Sequence, residues 1–164
     1  MRTLYLLRHA KSSWKDATLP DFERPLKGRG RDAAQQIGRF LVSKKVAVGA
    51  LISSPSVRTR QTIGIVLSHV ELGVEPQFDQ RIYEASLSAL VQVLSEIPDD
   101  TKAAMLVGHN PGMEEMVAFL TRESRHMPTC ALAKISIAGS SWKEAQRGAG
   151  KLEWFVTPKD LEDL

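Results

Sequence analysis

Cysteine is nearly missing from this sequence: Cys130 stands alone among 164 residues. One cysteine makes neither an internal disulfide nor a cysteine-built zinc site, so a disulfide-built secreted scaffold is excluded. Long apolar runs are missing as well. None approaches the ~18–20 residues of a membrane span. The apolar stretch near the N-terminus, Leu4-Tyr5-Leu6-Leu7, is far too short for a signal-peptide core. The expectation is a cytoplasmic protein with no membrane partner. Aromatic residues are scarce at 6%. No basic stripe interleaved with aromatics appears, which argues against a nucleic-acid partner although a pI near 9.1 permits one. Repeats, low-complexity tracts and linkers are absent too.

What is present is ordinary for a globular chain. Hydrophobic residues make up 43% and charged residues 25%, with 11 glycines and 8 prolines, values that exclude disorder, collagen and coiled coil. The length predicts one domain spanning 1–164. The net charge of +3 is a mild excess whose meaning depends on clustering.

Strand-like and helix-like patterns alternate. Leu4–Leu7, Ala50–Ile52 and Ala103–Val107 are short apolar runs, the form of strands buried on both faces. Residues 28–45 place Ala33, Ala34, Ile37, Phe40 and Leu41 on one helical stripe. Pro55-Ser56 opens a second helix, and Leu87, Leu90, Val91, Leu94 and Ile97 mark a third. Asn110-Pro111 reads as N-cap plus first-turn proline of a fourth, with Met113, Met116, Val117 and Leu120 as its stripe. A brief strand is expected at 76–78, and two closing strands, near Ala131–Ile137 and Leu152–Val156, are expected nearer an edge. This rhythm predicts an α/β fold, a mostly parallel central sheet with helices on both faces. Ligands in such sheets bind beyond the carboxyl ends of strands.

Three such ends carry ionisable groups. The first strand runs into Arg8-His9, the second into Ser53-Ser54-Pro55-Ser56-Val57-Arg58, and the third into Gly108-His109-Asn110-Pro111. Two arginines, two histidines and two helix N-termini on one rim describe an anion pocket. The arginine fork suits phosphate oxygens. A neutral histidine nitrogen is a competent nucleophile toward phosphorus, and neighbouring arginines keep it neutral. The chemistry these residues suggest is transfer of a phosphoryl group to His9, then attack by water.

With these motifs in this order, the chain resembles the histidine phosphatase superfamily, the phosphoglycerate mutase-like fold. Leu7-Arg8-His9-Ala10, Ser53 to Thr62, and Gly108-His109-Asn110-Pro111 carry the resemblance, joined by Pro25-Leu26-Lys27-Gly28. It spans about residues 1–138. The opening Arg8-His9-Ala10-Lys11-Ser12-Ser13-Trp14 points to the small phosphohistidine phosphatase branch. The resemblance implies a three-layer α/β/α sandwich. It implies His9 as nucleophile, with Arg8, Arg58 and His109 on the phosphoryl oxygens, and Glu84 of Ile82-Tyr83-Glu84 as proton donor. Many relatives have glycine at the Ala10 position, and mutase-like members have a phosphate-binding asparagine where this chain has Lys15; Arg24 is the candidate substitute cation. Relatives acting on small metabolites carry a long insertion that roofs the site. Only residues 79–88 stand in its place here, so no large cap is expected. No metal-ligand set is visible in the sequence, so no metal and no cofactor are expected.

Each residue has a plainer reading. Arg60, Lys11 and the Lys27–Arg31 run read as solvated charges, His69 and His126 as surface histidines, and Cys130 as a small buried residue. The expected substrate is phosphohistidine on a partner protein. The alternatives are small phosphomonoesters and a non-catalytic phosphoprotein-binding module. A monomer is expected, since no apolar element is left over.

Overall fold

Strand β1 (Arg2–Arg8) is apolar on both faces, and the fold explains why. In the computed structural model, which describes residues 1–162, Leu4 and Leu6 point into one core and Tyr5 and Leu7 into the other. Strand β4 (Ala103–Gly108) repeats the pattern, with Ala104 and Leu106 on one side and Met105 and Val107 on the other. Helices α1 (Gly28–Ser43) and α2 (Val57–Leu67) cover one face through Ala34, Ile37, Leu41, Ile63 and Val66. Helices α3 (Leu87–Ser95) and α4 (Gly112–Thr121) cover the other through Leu90, Leu94, Met113, Met116 and Leu120. The result is the three-layer sandwich that the alternating pattern predicts.

Strands β2 (Ala50–Ser53), β3 (Gln77–Phe78), β5 (Leu132–Ile137) and β6 (Gly150–Val156) complete the sheet, in the order β3-β2-β4-β1-β5-β6. β3, β2, β4 and β1 run parallel, and only β5 is reversed, pairing antiparallel with both β1 and β6. A short helix, α5 (Pro158–Glu162), ends the described chain.

The two closing strands lie toward one edge of the sheet, as expected: β6 is the edge strand and β5 stands next to it, with Leu132, Ala133, Ile135 and Ile137 buried. Lys134 and Ser136 alternate onto the opposite side from Ala133 and Ile135, and the Ser136 hydroxyl donates to Glu153 at 2.7 Å. One expectation is corrected. Asn110 does not cap α4. Pro111 holds the N-cap position and makes no side-chain cap, while the Asn110 amide donates to the Met127 carbonyl at 2.9 Å. Side-chain caps appear instead on α2 and α3, where Ser56 accepts from the Thr59 N–H and Ser86 from the Ala89 N–H.

Gly30 fixes how α1 meets the loop after β1. A Cβ there would sit 2.1 Å from the Lys11 carbonyl oxygen. Only glycine lets the first turn of α1 approach the Lys11 backbone so closely.

Candidate active site

The lateral hydrogen bonds of the sheet continue past the strand ends and hold the rim in place. The His9 N–H donates to Gly108 O at 3.0 Å, Ser54 N–H to Val107 O at 3.0 Å, and Cys130 N–H to His9 O at 2.9 Å. His9 is thereby fixed on both sides. The result is an open depression of about 670 Å³ lined by Arg8, His9, Arg24, Arg58 and His109, together with Lys11, Ser12, Ser13, Trp14, Lys15, Lys27, Asn110 and Thr129. No carboxylate is among these lining residues.

The His9 ring carries its state in one contact. Nδ1 lies 2.7 Å from the Ala10 carbonyl oxygen. A carbonyl only accepts, so the Nδ1 proton must be the donor and the neutral ring keeps its lone pair on Nε2. Burial lowers the His9 pKa to about 4; the Ala10 contact opposes this, and Arg58, Arg8 and Arg24 reinforce it. Ala10 is fully buried outside the left-handed region, so its Cβ is accommodated without strain, and its N–H donates to Thr62 Oγ1 at 3.0 Å.

His109 lies beside it, ring centroids 5.0 Å apart. Its Nδ1 is 3.3 Å from Arg58 Nη2, which can only donate, and its Nε2 is 2.8 Å from Ser54 Oγ. Burial lowers its pKa to about 3, with His9 and Arg58 adding to the effect. Both imidazoles are neutral at pH 7.

The guanidinium groups are anchored individually. Arg8 donates to Met127 O at 3.0 Å. Arg58 donates to Asp21 O at 2.8 Å and to Asp21 Oδ2 at 3.0 Å. Arg24 donates to Ser12 Oγ at 2.7 Å and bridges to Asp21 Oδ1. The Nε atoms of Arg8 and Arg58 are buried with no hydrogen-bond partner among the described residues. Charge held this way, desolvated and incompletely compensated, favours an oxyanion in the depression.

Asp21 and Tyr83 are the residues sequence reasoning missed. Asp21 sits in a 3₁₀ turn, Asp21–Glu23, and binds Arg58, Arg24 and the Tyr83 hydroxyl, the last at 2.5 Å. Burial pushes its pKa up, but the hydrogen bonds from Tyr83 and Arg58 outweigh that and hold it at about 2. The Tyr83 ring meets His109 edge-on, centroids 5.4 Å apart. The signal in the sequence was the i, i+3 spacing of Asp21 and Arg24, close enough in one turn to pair.

Glu84 is not brought into the site. It is exposed, its backbone is left-handed (φ 52°), and it does not line the depression. The residue of Ile82-Tyr83-Glu84 that contacts site residues is Tyr83, through Asp21 and His109, although it does not itself line the depression. Lys15 does line the depression. Cys130 is buried, and burial pushes its thiol up to about 12, so it stays protonated at neutral pH. His126 is exposed and pairs with Glu114. Among the described residues, no three His, Cys, Asp or Glu gather to hold a metal ion, and no helix is long and apolar enough to cross a membrane.

Comparison with known proteins agrees with this geometry. The family model of the histidine phosphatase superfamily (branch 1) matches residues 4–130. An uncharacterized chloroplastic protein of Arabidopsis thaliana is 33% identical over 96% of this chain and 78% of its own. An uncharacterized protein of Mycobacterium tuberculosis is 28% identical over 93% of this chain and 100% of its own. Among solved structures, a candidate phosphohistidine phosphatase SixA from Nakamurella multipartitia is 25% identical with a TM-score of 0.84, covering 96% of both chains. Its counterpart from Agrobacterium tumefaciens is 25% identical with a TM-score of 0.83, covering 96% of this chain and 98% of that one. A protein histidine phosphatase SixA complexed with tungstate shares the fold at 20% identity, with a TM-score of 0.84 over 97% of this chain and 99% of that one.

Proposed function

The chain belongs to the histidine phosphatase superfamily, as a SixA-like member with the phosphoglycerate mutase-like fold, and from that premise we propose that it hydrolyses phosphohistidine on a partner protein, with His9 as nucleophile. The single observation that carries this reading is the 2.7 Å contact of His9 Nδ1 with Ala10 O, which turns an unprotonated Nε2 toward a ring of guanidinium groups. The two SixA-named proteins at 25% identity supply the choice of phosphohistidine.

The reaction runs in two displacements. His9 Nε2 attacks phosphorus as the bond from phosphorus to the substrate nitrogen breaks, and the substrate imidazole leaves with its electron pair. Water then attacks phosphorus, the bond to Nε2 breaks, and inorganic phosphate departs with the water's oxygen. Arg8, Arg58 and Arg24 hold the equatorial oxygens in both steps, with His109 beside them. A nitrogen leaving group departs more readily than an alkoxide, so the scheme needs no carboxylic acid, and Glu84 has no part in it. No metal or cofactor enters either step. The whole chain, 1–164, acts as one domain without a cap. Between β3 and α3, residues 79–86 hold one 3₁₀ turn, Gln80–Ile82, so the depression stays accessible to a side chain on a folded partner.

The test is phosphate release from a histidine carrier domain phosphorylated with phosphoramidate, run beside a panel of sugar and nucleotide phosphates. Release from the carrier in preference to the esters, unchanged by a chelator, is expected. Rapid turnover of one ester with none of the carrier overturns the substrate. In a stopped reaction, an acid-labile phosphoryl group should be found on His9.

A further inference from the structure

The depression holds more positive charge than one phosphoryl group uses. Arg8, Arg24 and Arg58 are committed to it; Lys11, Lys15 and Lys27 line the same depression and form no ion pair among the described residues. Lys11 and Lys15 are exposed and Lys27 half-buried. Six cationic side chains thus line one depression that no carboxylate lines.

The same mouth carries the most conspicuous apolar exposure after Met1. Trp14 is 75% exposed and also lines the depression. One face of its indole lies over the Arg24 guanidinium, 3.5 Å from ring centroid to Cζ. Leu19, on the same exposed loop of residues 14–20, is another of the few large apolar side chains left in solvent. Tryptophan beside cations is the composition of an interaction surface, where a few large aromatic residues carry most of the binding energy.

We propose that Trp14, with Lys15 and Lys27, forms the docking surface for the partner protein, and that the partner presents acidic side chains around its phosphohistidine. This rests on the functional reading above. The lysines steer an acidic surface toward the mouth, and Trp14 packs on it once the phosphoryl group has entered. A nucleic acid would also be drawn to lysine and tryptophan. It needs a series of stacking aromatics, however, and among the described residues lining this depression Trp14 is the single Phe, Tyr or Trp.

The experiment compares wild type, Trp14→Ala and Lys15→Glu on a phosphorylated histidine carrier with an acidic surface. The same carrier with its flanking carboxylates changed to amides serves as control, and inhibition by inorganic phosphate reports the pocket itself. Trp14→Ala should raise KM for the acidic carrier about tenfold. Any rise in its phosphate inhibition constant, transmitted through Arg24 beneath the indole, should be clearly smaller than the rise in KM. Lys15→Glu should lower kcat/KM on the acidic carrier about tenfold, and less on the amide carrier. Wild-type turnover of the acidic carrier should fall as salt rises.

If wild type turns over the carriers and neither variant differs, the docking surface is wrong and the functional reading stands. Equal weakening of carrier and inorganic phosphate by Trp14→Ala also overturns it, since Trp14 would then act only through Arg24. Displacement of the carrier by a single-stranded oligonucleotide whose binding needs Trp14 overturns it in favour of a nucleic acid. If wild type turns over no phosphorylated carrier, the functional reading fails and the surface falls with it.

Discussion

Asp21 holds Arg58 by two contacts, its backbone carbonyl on Nη1 at 2.8 Å and its carboxylate on Nη2 at 3.0 Å. The arginine is buried and the aspartate is 39% exposed, so the pair spans the boundary between pocket and solvent. The same carboxylate holds Arg24. Asp21→Asn should therefore loosen two guanidinium groups at once and lower kcat/KM by roughly ten- to a hundredfold, the scale of a small misplacement of a catalytic group. Glu84→Gln, by contrast, should change kcat/KM by less than about twofold, as an exposed surface change does. Steady-state kinetics on a phosphorylated carrier checks both.

Arg58 itself is expected to be irreplaceable by another cation. Arg58→Ala should cost on the order of 10²–10³ in rate, as the loss of one oxyanion donor does. Arg58→Lys should recover little of it, because an ammonium cannot reach Asp21 and the phosphoryl oxygens with one planar fork. Near-equal activity of the lysine variant would count against bidentate recognition.

The two buried histidines make stability depend on acid. In the unfolded chain they take protons below about 6.5, whereas in the fold burial holds His9 near 4 and His109 near 3. The unfolded state binds more protons as pH falls through that window, so stability is lost between about 6.5 and 4. Asp21, held at about 2, adds a further loss as pH falls from the ordinary value of 3.8 toward 2. Urea midpoints measured from pH 7.5 to 4.5 should fall, and His109→Gln should flatten the fall.

Gly30→Ala should destabilise the fold by about 1–3 kcal/mol, the cost of overpacking a closed contact. Activity should suffer beyond the loss of folded protein, because the displaced backbone at Lys11 follows directly on His9 and Ala10. Thermal unfolding and kcat of the folded fraction separate the two effects. A neutral outcome in both would mean that α1 can shift freely.

Much of this was legible before the structure. The runs Leu4–Leu7 and Ala103–Val107 read as interior strands because both faces meet helices, which leaves no polar alternation. His9, Arg58 and His109 were legible because strand carboxyl ends converge in such sheets. Asp21 was legible only through its i, i+3 spacing to Arg24; its other two partners, Arg58 and Tyr83, lie 37 and 62 residues away, and no local pattern announces them. Glu84 is exposed and does not line the depression, while its neighbour Tyr83 meets His109 edge-on, a placement no sequence spacing reveals.

The hydrogen bond from His9 Nδ1 to Ala10 O has a further consequence, for handedness. With Nδ1 occupied, the proposed route uses one ring nitrogen for both displacements, and the phosphoryl group would arrive on and leave from the same atom. Each in-line displacement turns the phosphorus centre inside out. On the proposed route, a thiophosphoryl group carrying two oxygen isotopes is inverted on reaching His9 and inverted again by water of the third isotope, so the thiophosphate released should show net retention.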